Sequence, residues 1–107
     1  MSKPIPLQNG RYYHIFNRGN NRENIFFEER NYHYFLKLYA RHIESVADTY
    51  AYCLLRNHFH LLVRIKSLIE QEAFWNRTEQ GSKDEEFKSK SPSQQFGNFF
   101  HAYTKIN

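Results

Sequence analysis

The stretch Arg11-Tyr-Tyr-His-Ile-Phe-Asn17 is rich in aromatic and β-branched residues and follows Asn9-Gly10. It reads as a strand, ended by the turn signal Arg18-Gly19-Asn20-Asn21. From about Glu28 to Ile43 the period changes: Tyr32, Phe35, Leu36, Tyr39 and Ile43 recur at helical spacing. Glu28 and Glu29 lie near that helix's start and Arg41 and His42 near its end, as the helix dipole favours. Two further strands are expected at roughly Thr49–Leu55 and His58–Ile65, with Arg56 and Asn57 as a short hairpin connection. Residues 76–91 are polar and highly charged and read as a surface loop. Ser91 and Pro92 then suit the N-cap and first position of a last helix. Phe96, Phe99, Phe100 and Tyr103 form its stripe, and no glycine caps its end at Asn107. A helix that stops inside its own pattern is expected to continue in a further segment.

The order β-α-β-β followed by a helix predicts an α+β domain, an antiparallel sheet with helices on one face. A ferredoxin-like arrangement is the economical form of it. At 107 residues the chain is one domain. Aromatic residues make up 18% of it, which favours a packed core over disorder. No apolar run approaches the about 20 residues a membrane span needs. The N-terminus lacks the apolar stretch of a secretory signal. The single cysteine, Cys53, allows no internal disulfide, so a reducing cytoplasm is the expected compartment.

The net charge of +4 permits an anionic partner without requiring one. Its distribution says more. Residues 1–27 carry four basic residues against one acidic, and residues 46–67 carry three against one. Residues 68–90 carry six acidic against four basic. The positive charge therefore falls on segments that read as strands.

His58-Phe59-His60 is the sharpest local feature. Alternation in a strand puts His58, His60, Leu62 and Arg64 on one face. Phe59, Leu61, Val63 and Ile65 fall on the other, the natural core face. Two imidazoles side by side can share a metal ion, and they can equally be solvated surface histidines. Imidazole alone would favour Zn, Ni or Mn over Mg. Tyrosine can act as an activated nucleophile, a stacking platform or core. Tyr32, Tyr39 and Tyr103 lie on helix core faces by spacing, whereas Tyr12, Tyr13, Tyr50 and Tyr52 are divided between strand faces. Asn17 and Arg18 open a polar turn able to contact phosphate. Cys53, in a strand with no helix N-terminus near it, reads as a packed and inert thiol.

Three segments taken in order carry a family resemblance. They are Tyr12-Tyr-His-Ile-Phe-Asn-Arg-Gly19 with Ile25-Phe26; Tyr50-Ala-Tyr-Cys-Leu-Leu-Arg-Asn-His-Phe-His-Leu-Leu-Val63; and Ser91-Pro92 with Phe96-Gly-Asn-Phe-Phe-His-Ala-Tyr-Thr-Lys-Ile-Asn107. Together they resemble the IS200-like transposases, and among them the REP-associated tyrosine transposase branch, of the HUH endonuclease type. The resemblance covers the chain from about residue 11 onward. It implies a ferredoxin-like domain in which His58 and His60 bind a divalent metal, Mg or Mn. Phosphate oxygens and water would complete such a hard coordination sphere. It also implies cleavage and rejoining of single-stranded DNA, often beside a hairpin, through a 5′-phosphotyrosine link. Asn17 and Arg18 are then candidate DNA contacts. A homodimer is compatible with the family, as is a monomer.

The family's nucleophilic tyrosine lies on a later helix, in a Tyr-Ile-x-x-Asn-Pro-like stretch that this sequence does not contain. Tyr103 is the candidate within the chain, yet it matches the preceding helix and has core-face spacing. The expectation is a transposase domain cut short, with its metal pair and without its nucleophile. Two other readings stay open. One is a non-catalytic module binding single-stranded nucleic acid by stacking and phosphate contacts. The other is a metal-dependent hydrolase, which would need Asp48 or His14 beside the histidine pair.

Overall fold

A computed structural model describes residues 6–19, 23–77 and 91–106. Strand β1 runs over Tyr12–Arg18, helix α1 over Glu29–Ile43, strand β2 over Ala47–Leu55 and strand β3 over His58–Ile65. Helices α2, Leu68–Arg77, and α3, Pro92–Ile106, follow. Among the described residues the strands form one antiparallel sheet in the order β1-β3-β2. The fold is α+β, as expected.

Strand β3 is central and two-sided. Phe59, Leu61, Val63 and Ile65 are all buried, while His58, His60, Leu62 and Arg64 alternate with them on the more open face. Helix α1 meets the buried row with Phe35, Tyr39 and Ile43, and α3 with Phe96, Phe99 and Tyr103. Tyr32, Leu36 and Phe100, also on the expected stripes, are half-buried against this core. Phe35 lies at the junction, its ring 5.1 Å from Phe59, 4.9 Å from Phe99 and 5.2 Å from Tyr103.

Local polar groups fix where the helices start. The Asn31 side-chain oxygen accepts from the backbone N–H groups of Phe27 and Glu28, both at 2.8 Å, fixing the chain where it enters α1. Ser91 and Gln94 bond reciprocally at the start of α3, a capping box around the expected N-cap serine.

Three sequence expectations need correction. Residues 76 and 77 do not open a loop: they end helix α2, which the periodicity did not reveal. Its apolar residues cluster as neighbours instead of forming a stripe, so Trp75 and Gln71 are buried while Leu68 and Ile69 stay exposed. The signal that marks it is the capping box Ser67-x-x-Glu70, with Ser67 N–H donating to Glu70 at 2.9 Å and Glu70 N–H to Ser67 Oγ at 3.2 Å. The rest of the expected loop, 78–90, lies outside the described residues. Strand β2 begins earlier than expected, at Ala47, and carries a bulge between Thr49 and Ala51. The two-residue turn sets Leu55 opposite His58, so Cys53 and Ala51 share the face of His60 and Leu62, and the extra residue, Tyr50, shifts the alternation only of the residues before it. Cys53 is accordingly exposed, where a packed thiol was expected.

Arg64 ties α2 to the sheet, bonding Glu70 at 2.9 Å and Asp48 at 3.2 Å. The Arg64 guanidinium, and after it Ser67, hold the Glu70 carboxyl at about 2, down from the ordinary 4.5. A depressed carboxylate stabilises the folded state above its unfolded value and loses that contribution as pH falls toward the folded one. The difference in melting temperature between the native chain and Glu70→Gln should therefore be constant above pH 4.5 and shrink as pH falls toward 2. In the core, Phe35→Ala should lower the free energy of unfolding by about 3–5 kcal/mol in urea titrations.

Candidate functional site

The open face of the sheet can be read row by row from the strand register. Arg18 pairs with His58, which pairs with Leu55; Phe16 pairs with His60, which pairs with Cys53. Beyond them His14, Leu62 and Ala51 form a third row, and Tyr12, Arg64 and Asp48 a fourth. Every second residue of β1 from Tyr12 to Arg18 thus joins the histidines, because the pleat has a period of two.

His58 and His60 stand together, their ring centroids 5.1 Å apart and nearly perpendicular. Each has its Nδ1 engaged. The His58 Nδ1–H donates to the Asn57 side-chain oxygen at 2.7 Å, since that oxygen can only accept. His60 Nδ1 lies 2.8 Å from His14 Nε2, one donating and the other accepting. The His58 bond leaves Nε2 with its lone pair in the neutral ring. When His60 is the donor of its pair, its Nε2 has a lone pair as well. Desolvation first, then charge on the neighbouring His14, His58 and Arg18 side chains, lowers the His60 pKa, which favours the neutral imidazole a ligand must be.

Backbone contacts hold this arrangement in place. Asn57 lies in the β2–β3 turn, and its carbonyl accepts from Gly19 N–H at 2.9 Å. The Arg56 carbonyl accepts from Ile25 and Phe26 at 2.8 and 3.0 Å. The chain leaving β1 therefore wraps the hairpin turn that orients His58. Gly19 has no room for a side chain, because a Cβ there would collide with the Glu23 carbonyl.

These contacts give a donor set of two imidazoles with their Nδ1 atoms occupied, the pattern in which hydrogen-bonding partners orient metal-binding histidines. Among the described residues no group of three or more His, Cys, Asp or Glu is arranged to hold a metal ion. Any divalent ion held by this pair would have two protein ligands, His58 and His60, and would take its other positions from water or phosphate oxygens.

The other expected site residues are distributed differently. Arg18 is in the row of His58. Asn17 falls on the other side of β1 and accepts the Arg18 N–H at 2.9 Å. Asn17 and Arg18 line a cavity of about 430 Å³ at the end of the sheet, together with Phe59, Phe100 and Tyr103. Tyr103 is 4% exposed, and its hydroxyl donates to the Ile25 carbonyl at 2.9 Å. It packs beneath the helix-side face of the sheet, with the strands between it and the histidines. Of the two candidates that the hydrolase reading offered for a further group beside the pair, His14 reaches His60, whereas Asp48 is at the far end with Arg64 at 3.2 Å and Lys66 at 3.9 Å. Asn57 and Phe16 were not anticipated. Asn57 directly precedes the histidine pair, and Phe16 shares the alternation class of His14.

No family model, no curated protein and no solved structure matches the chain.

Replacing Asn57 by Ala removes the acceptor that holds His58 Nδ1–H. In long-range ¹H–¹⁵N correlation spectra above the imidazole pKa, the native His58 should be the Nδ1–H tautomer. In Asn57→Ala it should move toward the Nε2–H form. An unchanged tautomer would mean that Asn57 does not orient His58.

Proposed function

We propose that the chain is the metal- and single-stranded-DNA-binding domain of an IS200-like transposase of the REP-associated tyrosine branch. The observation that carries this reading is the histidine pair: two imidazoles on an open, aromatic sheet face, each with Nδ1 in a hydrogen bond and, where Nδ1 is the donor, with Nε2 left to bind. The strand order β1-β3-β2 in a β-α-β-β chain supports the ferredoxin-like form of the fold that the resemblance implies.

In this reading His58 and His60 hold a divalent ion, Mn or Mg. Such an ion, when bound, polarises a phosphate oxygen and offsets charge developing on it. Asn57 and His14 keep the two imidazoles oriented. Arg18, in the row of His58, takes an adjoining phosphate by a charge-assisted contact. The burial of Tyr103 leaves the attacking role to a different tyrosine. Tyr12 and Tyr50 share the histidines' face but stand near its other end, about 13 Å along β3 at roughly 3.3 Å per residue. Hairpin-forming DNA as target, pairing of two copies and a cytoplasmic setting belong to the same proposal. No helix among the described residues is long and apolar enough to cross a membrane.

The buried Tyr103 favours a second reading, a module that binds single-stranded nucleic acid without cutting it. Chelation separates the two. Binding that weakens in EDTA supports the metal reading; binding indifferent to EDTA and falling with salt supports the module. His58→Ala/His60→Ala should lose Mn²⁺ binding in electron paramagnetic resonance titrations and keep its circular dichroism spectrum, since both rings lie outside the core. Unchanged Mn²⁺ affinity in that variant would refute the metal site.

A further inference from the structure

The residue beside the histidine pair that no role yet accounts for is Phe16. It is 65% exposed although it is large, apolar and in a strand. Its ring lies 5.0 Å from His14 and 6.0 Å from His60, tilted by 34° and 26°. His14 and His60 are themselves 5.0 Å apart and 17° from parallel. The three rings thus make a contiguous aromatic group on the open face, with His60 stacked on both of the others. Tyr12 and Tyr50, 63% and 58% exposed and 5.7 Å apart, extend the aromatic surface along the same face. Leaving several large rings in water on one side of a sheet is unfavourable unless something covers them.

Charge identifies the occupant. The rows of Phe16 and of Arg18 contain no acidic residue. Among the described residues Asp48, at the opposite end of this face, and Glu70 are bonded to Arg64, while Glu23 lines the cavity beside Arg18 at the end of the sheet. An exposed ring therefore has a guanidinium two residues along the same strand, about 7 Å away at roughly 3.3 Å per residue. A nucleotide presents the complement: a flat π-face joined to an anionic phosphate. Aromatic side chains on an open sheet stack against bases of single strands in this manner.

We infer that Phe16 is a seat for a nucleobase of single-stranded DNA. The base stacks on its ring while Arg18 receives the neighbouring phosphate. This inference rests on the functional reading above and deepens it, placing base contact on β1 directly beside the metal pair. Binding there is tolerant of sequence, because every base offers a π-face.

The test uses the full chain at one fixed salt concentration, since phosphate contacts are salt-dependent. Fluorescence anisotropy compares a labelled dT tract with an abasic tract of equal length. Phe16→Ala should weaken binding of the dT tract by about tenfold, leave the abasic tract unaffected, and be rescued in Phe16→Trp. No loss on the dT tract, or equal loss on both tracts, overturns the inference and leaves the functional reading standing. Failure of the unsubstituted chain to bind the dT tract at all overturns that reading, and the inference with it. Phe16 is largely exposed, so both variants should retain the native circular dichroism spectrum.

Discussion

Everything in this domain depends on one strand having to satisfy two environments. Strand β3 is hydrogen-bonded on both sides, so neither its register nor its alternation is free. Its inward row, Phe59 to Ile65, is the floor on which α1 and α3 pack. A slip of one residue would bury two imidazoles and a guanidinium and expose four apolar side chains. The hydrophobic effect that holds the helices down therefore also holds His58 and His60 up. The site inherits its rigidity from the core, although no core residue touches it from the open side.

A second layer of positioning comes from backbone polar groups at the end of the sheet. The β2–β3 turn is short, and its carbonyls are claimed by the segment that leaves β1. That segment crosses close to itself at Gly19, where only hydrogen fits. Asn57 is thereby fixed by the fold before its side chain fixes His58. His60 is oriented from the opposite direction, by His14 across the β1–β3 pairing. Two neighbouring imidazoles are thus oriented by different side chains, Asn57 in the turn and His14 on β1.

Much of this was visible in the residues themselves. The inward and outward rows of β3 follow directly from His-Phe-His-Leu-Leu-Val-Arg-Ile, because a strand's period is short and its pattern unbroken. The stripes of α1 and α3 were equally legible, since Phe35, Tyr39, Phe96 and Phe99 repeat at helical spacing. Helix α2 escaped because Leu68-Ile69 and Phe74-Trp75 are adjacent pairs, which give no stripe; only the Ser67–Glu70 box announced it. The exposure of Cys53 was legible in principle, because a two-residue turn at Arg56-Asn57 sets Leu55 opposite His58 and Cys53 opposite His60. The bulge at Tyr50 was not, since a bulge is set by how two strands accommodate each other. The His14–His60 contact had the same obstacle. It requires knowing that β1 pairs with β3 and in which register, a long-range fact that local patterns do not carry.

The bulge at Tyr50 also governs what can attach to this sheet. A strand with an extra residue bends and twists locally, and its outer row of amides no longer forms an even template. Strand β2 is thus a poor partner for a stray segment from another molecule, a safeguard against edge-to-edge aggregation in a chain so rich in aromatic residues. Strand β1 has no such irregularity in its pairing. Growth of the sheet by another strand is accordingly directed to one side, the side next to His14 and Phe16.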